Sequence, residues 1–130
     1  ILVGGLATAL IITGLPTHAT TSASLSSVPS EQFAAYLAAE TPTIIDVRTP
    51  EEFAAGHLPG AMNIDLHDPR FREKLWALQR DNEYAVYCRS GNRSGDTLTL
   101  MRRLGFHNVR DLSGGIKSWL ATGREACTSC

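Results

Sequence analysis

A chain of 130 residues, 43% of them apolar, is long enough to close one hydrophobic core, and it reads as a single domain. With 12 Lys and Arg against 13 Asp and Glu, the net charge is −1, so no basic surplus calls for nucleic acid and any anion must be bound by local arrangement. No internal repeat at a solenoid period runs through it.

Residues 1–30 contain no Lys, Arg, Asp or Glu. Ile1–Leu15 is apolar, loosened by Gly4, Gly5 and Gly14, and Thr17-His18-Ala19 has the small-x-small pattern that suits signal-peptidase cleavage after Ala19. Residues 1–19 therefore read as the apolar and cleavage regions of a secretory signal that lacks its basic start. The run is shorter than the about 20 residues that a bilayer crossing needs. The alternative is an uncleaved N-terminal anchor; after cleavage no stable membrane association is expected. Residues 20–28, rich in Ser and Thr, read as a loose linker, residues 29–123 as the folded domain, and residues 124–130 as a tail.

Within the domain, helix and strand signals alternate. Pro29-Ser30-Glu31 opens a helix with Phe33, Tyr36 and Leu37 on one face, ended by Thr41-Pro42. Thr43–Val47 is a β-branched strand apolar enough to be central in a parallel sheet, with Asp46 and Arg48 at its carboxyl end. Thr49 is a helix N-cap with Pro50 at the first helical position. Arg48 and Glu52 stand at i,i+4 and are expected to pair weakly. His57 falls in the turn cluster Gly56–Gly60, where a structural hydrogen-bonding role is expected. Ala61–Ile64 is a short strand, Asp68-Pro69 starts a helix with Phe71, Leu75 and Leu78 on one face, and Tyr84–Tyr87 is a buried strand. A further helix ends at Leu104-Gly105, Asn108–Leu112 is the last strand, and a final helix follows Ser113-Gly114-Gly115. Trp76 and Trp119 are expected to anchor their helices in the core. The alternation predicts an α/β fold, a mostly parallel sheet covered by helices on both faces, with ligands bound beyond the strands' carboxyl ends.

One such end carries Cys88-Arg89-Ser90-Gly91-Asn92-Arg93-Ser94, a lone cysteine on a strand-to-helix turn. Gly91 permits a tight curl, and Asn92 or Ser94 can serve the helix start. Inward-pointing N–H groups, the helix N-terminus and the charges of Arg89 and Arg93 favour the thiolate, which is the nucleophilic form. Of the three cysteines, Cys127 and Cys130 are close enough to bond each other, leaving Cys88 free. His67 and His107 have no partner ligands in the sequence, and no metal site is expected.

Three stretches, in order, resemble the signatures of the rhodanese family: Ile44-Ile45-Asp46-Val47-Arg48-Thr49-Pro50-Glu51-Glu52-Phe53 with Gly56-His57-Leu58-Pro59-Gly60-Ala61, the Cys88–Ser94 loop, and Gly105-Phe106, Val109 and Leu112-Ser113-Gly114-Gly115 with Trp119. The resemblance implies a five-stranded, mostly parallel sheet and sulfane-sulfur transfer through a Cys88 persulfide. With the export signal, the chain is similar to small periplasmic single-domain rhodaneses. The loop between Cys88 and Arg93 is shorter than in cysteine phosphatases of related fold, which suits one terminal sulfur better than a tetrahedral phosphate.

The expected reaction is therefore that of a thiosulfate sulfurtransferase. Thiosulfate docks near Arg89 and Arg93, Cys88 takes its outer sulfur, the N–H groups of Arg89, Ser90, Gly91, Asn92 and Arg93 hold the persulfide, and cyanide or a thiol accepts the sulfur. Asp46 and Arg48 are expected to support the loop. No metal or organic cofactor is required, and a monomer with a small-molecule donor and a thiophilic acceptor is expected. Rival readings are a persulfide carrier with little turnover of free thiosulfate, and a thiol–disulfide redox protein using Cys127 and Cys130. The C-x-x-C pair itself is read as a disulfide or frayed tail, with a resolving pair for Cys88 as the sharper alternative.

Overall fold

Alternating strand and helix signals become a single five-stranded parallel sheet in the computed structural model, which describes residues 3–5, 9–11, 13–14 and 24–130. The elements run β1 (Ser24–Val28), α1 (Ser30–Glu40), β2 (Thr43–Asp46), α2 (Pro50–Ala55), β3 (Met62–Asn63), α3 (Phe71–Trp76), β4 (Glu83–Tyr87), α4 (Asn92–Arg103), β5 (Asn108–Leu112) and α5 (Gly115–Ala121). The strand order is β1-β5-β4-β2-β3, and every pairing is parallel. The cleavage position after Ala19 and residues 20–23 lie outside the described residues. Among the described residues no helix is long and apolar enough to cross a membrane.

β4 shows why the centre of the sheet reads as an unbroken apolar run. Side chains alternate across a strand, and both faces here are covered. Tyr84, Val86 and Cys88 point to one core cluster with Phe71, Leu75, Leu98 and Met101, while Ala85 and Tyr87 point to the other with Phe33, Leu58, Ile116 and Trp119. Cys88 thus continues the strand's inward alternation. From β2 the chain proceeds outward to β3, whereas from β4 it proceeds the other way to β5. Connections that diverge from adjacent strands open a crevice at their carboxyl ends. The loops after β2 and β4 face each other there, joined by the Val47 N–H donating to the Tyr87 carbonyl at 3.1 Å.

Several expectations are corrected. Residues 24–28 are not linker but the edge strand β1, in register with β5 from Ser24 opposite Asn108 to Val28 opposite Leu112. Its alternating Ser residues hid a strand whose stability comes from backbone pairing and from Leu25 and Val28. Trp76 is not a core anchor: it is 61% exposed, because Phe71 and Leu75 occupy the buried face of α3, and the Arg80 guanidinium lies 4.2 Å over its ring. Trp119 is buried, as expected. α3 begins at Phe71 rather than at Asp68, whose carboxylate accepts the Arg70 N–H at 2.8 Å. Arg48 turns back to Asp46 instead of forward to Glu52.

β1 also explains a buried acid. Asp111 on β5 is 2% exposed; one carboxyl oxygen accepts from the Ser27 hydroxyl at 2.6 Å and the other has no partner. Burial pushes its carboxyl above the usual range, partly opposed by the Ser27 hydrogen bond. An acid raised in this way favours the fold at low pH and loses that contribution as pH rises and the buried group ionises. Ser27→Ala should therefore destabilise the protein by about 1–2 kcal/mol at neutral pH, and by less in acid, where Asp111 is protonated. Thermal unfolding followed by circular dichroism at both pH values checks this.

Candidate active site

The loop between β4 and α4 wraps around the Cys88 sulfur. Gly91, at φ +106°, is the N-cap of α4 and turns its N–H onto that sulfur at 3.1 Å. The Ser94 hydroxyl donates to it from one turn into the helix at 3.3 Å. Of Asn92 and Ser94, either of which could serve the helix start, neither caps α4 with its side chain; the Ser94 hydroxyl lies 3.3 Å from the thiol and 3.4 Å from the Gly91 carbonyl. Burial pushes the Cys88 thiol up, but the Ser94 hydroxyl and the backbone N–H groups of Ser94, Gly91 and Ser90 together outweigh it, and the net direction is below that of an ordinary thiol. Cys88 is only 1% exposed, whereas Arg89, Ser90 and Asn92 lie at the surface around it.

The two loop arginines part company. Arg93 forms a bidentate pair with Glu52 of α2, at 2.7 and 2.9 Å. This pairing holds the Glu52 carboxyl down to about 2, with the Arg93 hydrogen bond as its largest cause. The Arg93 guanidinium, read from the sequence as lying near the docked sulfonate, ties the loop to α2 in this structure, and its charge also acts on Cys88. Glu52 also completes a capping box with Thr49, accepting from the Thr49 N–H at 3.4 Å while its own N–H donates to Thr49 Oγ1 at 3.2 Å. Arg89 has no ion pair among the described residues.

Behind the loop, Asp46 is fully buried and accepts from the Arg48 backbone N–H and guanidinium at 2.6–3.0 Å. Arg48 passes the connection on, donating to the Gly56 carbonyl at 2.6 Å, and its guanidinium lies 5.6 Å from the centre of the Tyr87 ring. Tyr87 Oη in turn accepts from the Leu58 N–H at 3.0 Å. Asp46 and Arg48 therefore brace the turn at Gly56–Leu58 beside β4.

Gly115 has the tightest fit in the site. Its backbone lies against the loop so closely that a Cβ there would meet the Arg89 carbonyl oxygen at 2.3 Å and the Cys88 carbonyl oxygen at 2.6 Å. This approach lets the Ile116 N–H donate to the Cys88 carbonyl at 2.9 Å and the Lys117 N–H to the Arg89 carbonyl at 3.1 Å. From the sequence, Gly114 and Gly115 read as a helix start and as part of the third family signature, with no contact to the loop. Nothing local in the sequence marks Glu52 as the partner of Arg93, 41 residues away.

The tail is not frayed. Cys127 and Cys130 form a disulfide, and the Cys127 backbone pairs with His57 in both directions at 2.9 Å. His57 is buried, with Nδ1 2.9 Å from the Phe53 carbonyl and Nε2 3.0 Å from the Cys130 carbonyl, in accord with a structural role.

The rhodanese-like domain family matches residues 30–122. A sulfurtransferase of Allochromatium vinosum is 33% identical over 97 residues, spanning 74% of this chain and 89% of the relative. The thiosulfate sulfurtransferase GlpE of Pseudomonas entomophila is 32% identical over 93 residues, spanning 72% and 84%. The crystal structure of a rhodanese-related protein from Thermoplasma volcanium superposes with a TM-score of 0.70 at 34% identity, covering 80% of this chain and 99% of that one.

Two outcomes follow from the loop geometry. Removing the Ser94 hydroxyl takes away the hydrogen bond that most favours the thiolate, so Ser94→Ala should move the midpoint of the Cys88 alkylation rate against pH upward by roughly one pH unit. Iodoacetamide labelling followed by mass spectrometry reads it. Gly115→Ala should displace the loop, lowering stability by about 1–3 kcal/mol and reducing Cys88 alkylation at neutral pH, because the loop N–H groups leave the sulfur. Denaturant melts and the same labelling check both effects.

Proposed function

Given that the chain belongs to the rhodanese-like family and has sulfurtransferase relatives, we propose that it transfers sulfane sulfur from thiosulfate through a persulfide on Cys88. The observation that carries this reading is a cysteine sulfur favoured as thiolate inside a ring of donors, the Gly91 N–H and the Ser94 hydroxyl. In the first step the Cys88 thiolate attacks the outer sulfur of thiosulfate. A new S–S bond forms, and sulfite leaves with the electron pair of the old one. Arg89, exposed at the rim and free of other ion pairs among the described residues, meets the sulfonate group. The terminal persulfide sulfur carries the negative charge, and the loop N–H groups stabilise it as an oxyanion hole would.

In the second step a cyanide ion or an acceptor thiolate attacks the terminal sulfur, and the Cys88 thiolate leaves. A thiolate that is already ionised needs no general base in either step. Arg93 and Glu52 act by position: their bidentate pair fixes the loop against α2, so the N–H groups stay aimed while the sulfur changes partner. The Cys127–Cys130 disulfide supports an exported, periplasmic setting, since structural disulfides persist where thiols are not kept reduced.

Incubating the protein with thiosulfate and no acceptor should add about 32 Da, one sulfur atom, to its intact mass. The gain should vanish on adding cyanide, with thiocyanate released repeatedly, and should be absent in Cys88→Ser. A gain that survives in Cys88→Ser would overturn the reading, and a single release without turnover would make the protein a carrier.

A further inference from the structure

The contact between His57 and the C-terminal tail has a chemistry that the Cys88 reaction does not use. The His57 ring is held face to face with Phe53 at 3.8 Å, and its two nitrogens each face a backbone carbonyl, that of Phe53 at 2.9 Å and that of Cys130 at 3.0 Å. A neutral imidazole has one N–H to give. Two carbonyls thus compete for one proton, and whichever nitrogen lacks it keeps a lone pair facing an oxygen that has no hydrogen to offer. A ring nitrogen of His57 and the sulfurs of Cys127 and Cys130 all lie within 4.8 Å of one another.

These are the marks of a ligand set. Soft thiolates at C-x-x-C spacing with an imidazole suit a tetrahedral, thiophilic d10 cation. Zn–S and Zn–N bonds of about 2.3 and 2.0 Å place such atoms about 3.5–3.8 Å apart, so the sulfurs must separate from their disulfide before the three atoms can close around an ion. With an ion on Nε2, Nδ1–H would donate to the Phe53 carbonyl, the arrangement that orients metal-bound histidines generally. The paired His57 and Cys127 backbones hold the two residues side by side in advance.

We propose that the chain, once its Cys127–Cys130 disulfide is reduced, binds one Zn2+-class cation through His57 Nε2 and the two thiolates, leaving a fourth position open. Reduction by a dithiol breaks the S–S bond, leaves two thiols on the tail and turns the reductant into its own disulfide. The cation then displaces the two thiol protons. Reoxidation reverses the sequence and expels the ion, so the site is gated by redox state. The expectation of no metal rested on His67 and His107, which lack partner ligands; His57 and Cys127 lie 70 residues apart.

The test uses the full chain carrying Cys88→Ser, so that no other thiolate competes. It is reduced with a phosphine and titrated without oxygen with Co2+, then with Zn2+. One Co2+ per chain should bind, with the visible bands of a tetrahedral thiolate site. Zn2+ should displace it, and the oxidised chain should bind none. Cys127→Ser should abolish the bands, and His57→Gln should weaken binding by about tenfold or more. Since His57 is buried, a second reading keeps its ring: the 15N shift of Nε2, observed on the reduced chain with native His57, should move to the metal-bound position when Zn2+ is added. No tetrahedral Co2+ bands after reduction, equal binding by the oxidised chain, or an Nε2 shift unchanged by Zn2+ would each overturn the proposal.

Discussion

Two backbone hydrogen bonds govern the site: Ile116 to the carbonyl of Cys88, and Lys117 to that of Arg89. They bind the start of α5 to a loop that has no regular structure of its own, and they require two chain segments to approach more closely than any side chain allows. Gly115 is the residue that permits it. With those carbonyls held from outside, the loop N–H groups are left to turn inward onto sulfur. A cradle built from backbone needs such an external brace, since backbone groups have only one direction in which to point once their carbonyls are fixed. The Arg93–Glu52 pair braces the same loop through α2.

A second chain of contacts supports the neighbouring loop. Asp46 and Arg48 form a buried pair whose charges are matched by a backbone N–H and a carbonyl as well as by each other. A buried ion pair of this kind adds little net stability, but loss of one partner leaves the other unpaired, so it specifies a conformation. Here it specifies the Gly56–Leu58 turn, and through it the seat of the C-terminal tail.

Much of this was legible in the residues. The apolar run before Cys88, the β-branched strand from Thr43 and the Thr49-Pro50 cap each follow a local rule, and each forms as that rule dictates, the strand ending at Asp46, one residue earlier than expected. The elements that escaped depend on contacts distant in sequence. β1 has too few apolar residues to announce itself and exists because β5 offers it an edge. Arg48 had two carboxylates within reach, and the buried one won, because the weak pairing at i,i+4 competes poorly with a bidentate contact out of water. Trp76 was assigned to the core on size alone, but one position along a helix turns a side chain by about 100°, away from the face its neighbour Leu75 occupies.

Cys88 belongs at once to the strand's inward alternation and to the donor ring, so its sulfur has packed side chains behind it and a collar of backbone in front. A sulfur placed so deep leaves little room for approach: with Cys88 only 1% exposed, width decides what can come up to it. The depth of the sulfur thus selects by width, a kind of discrimination that charge alone does not supply.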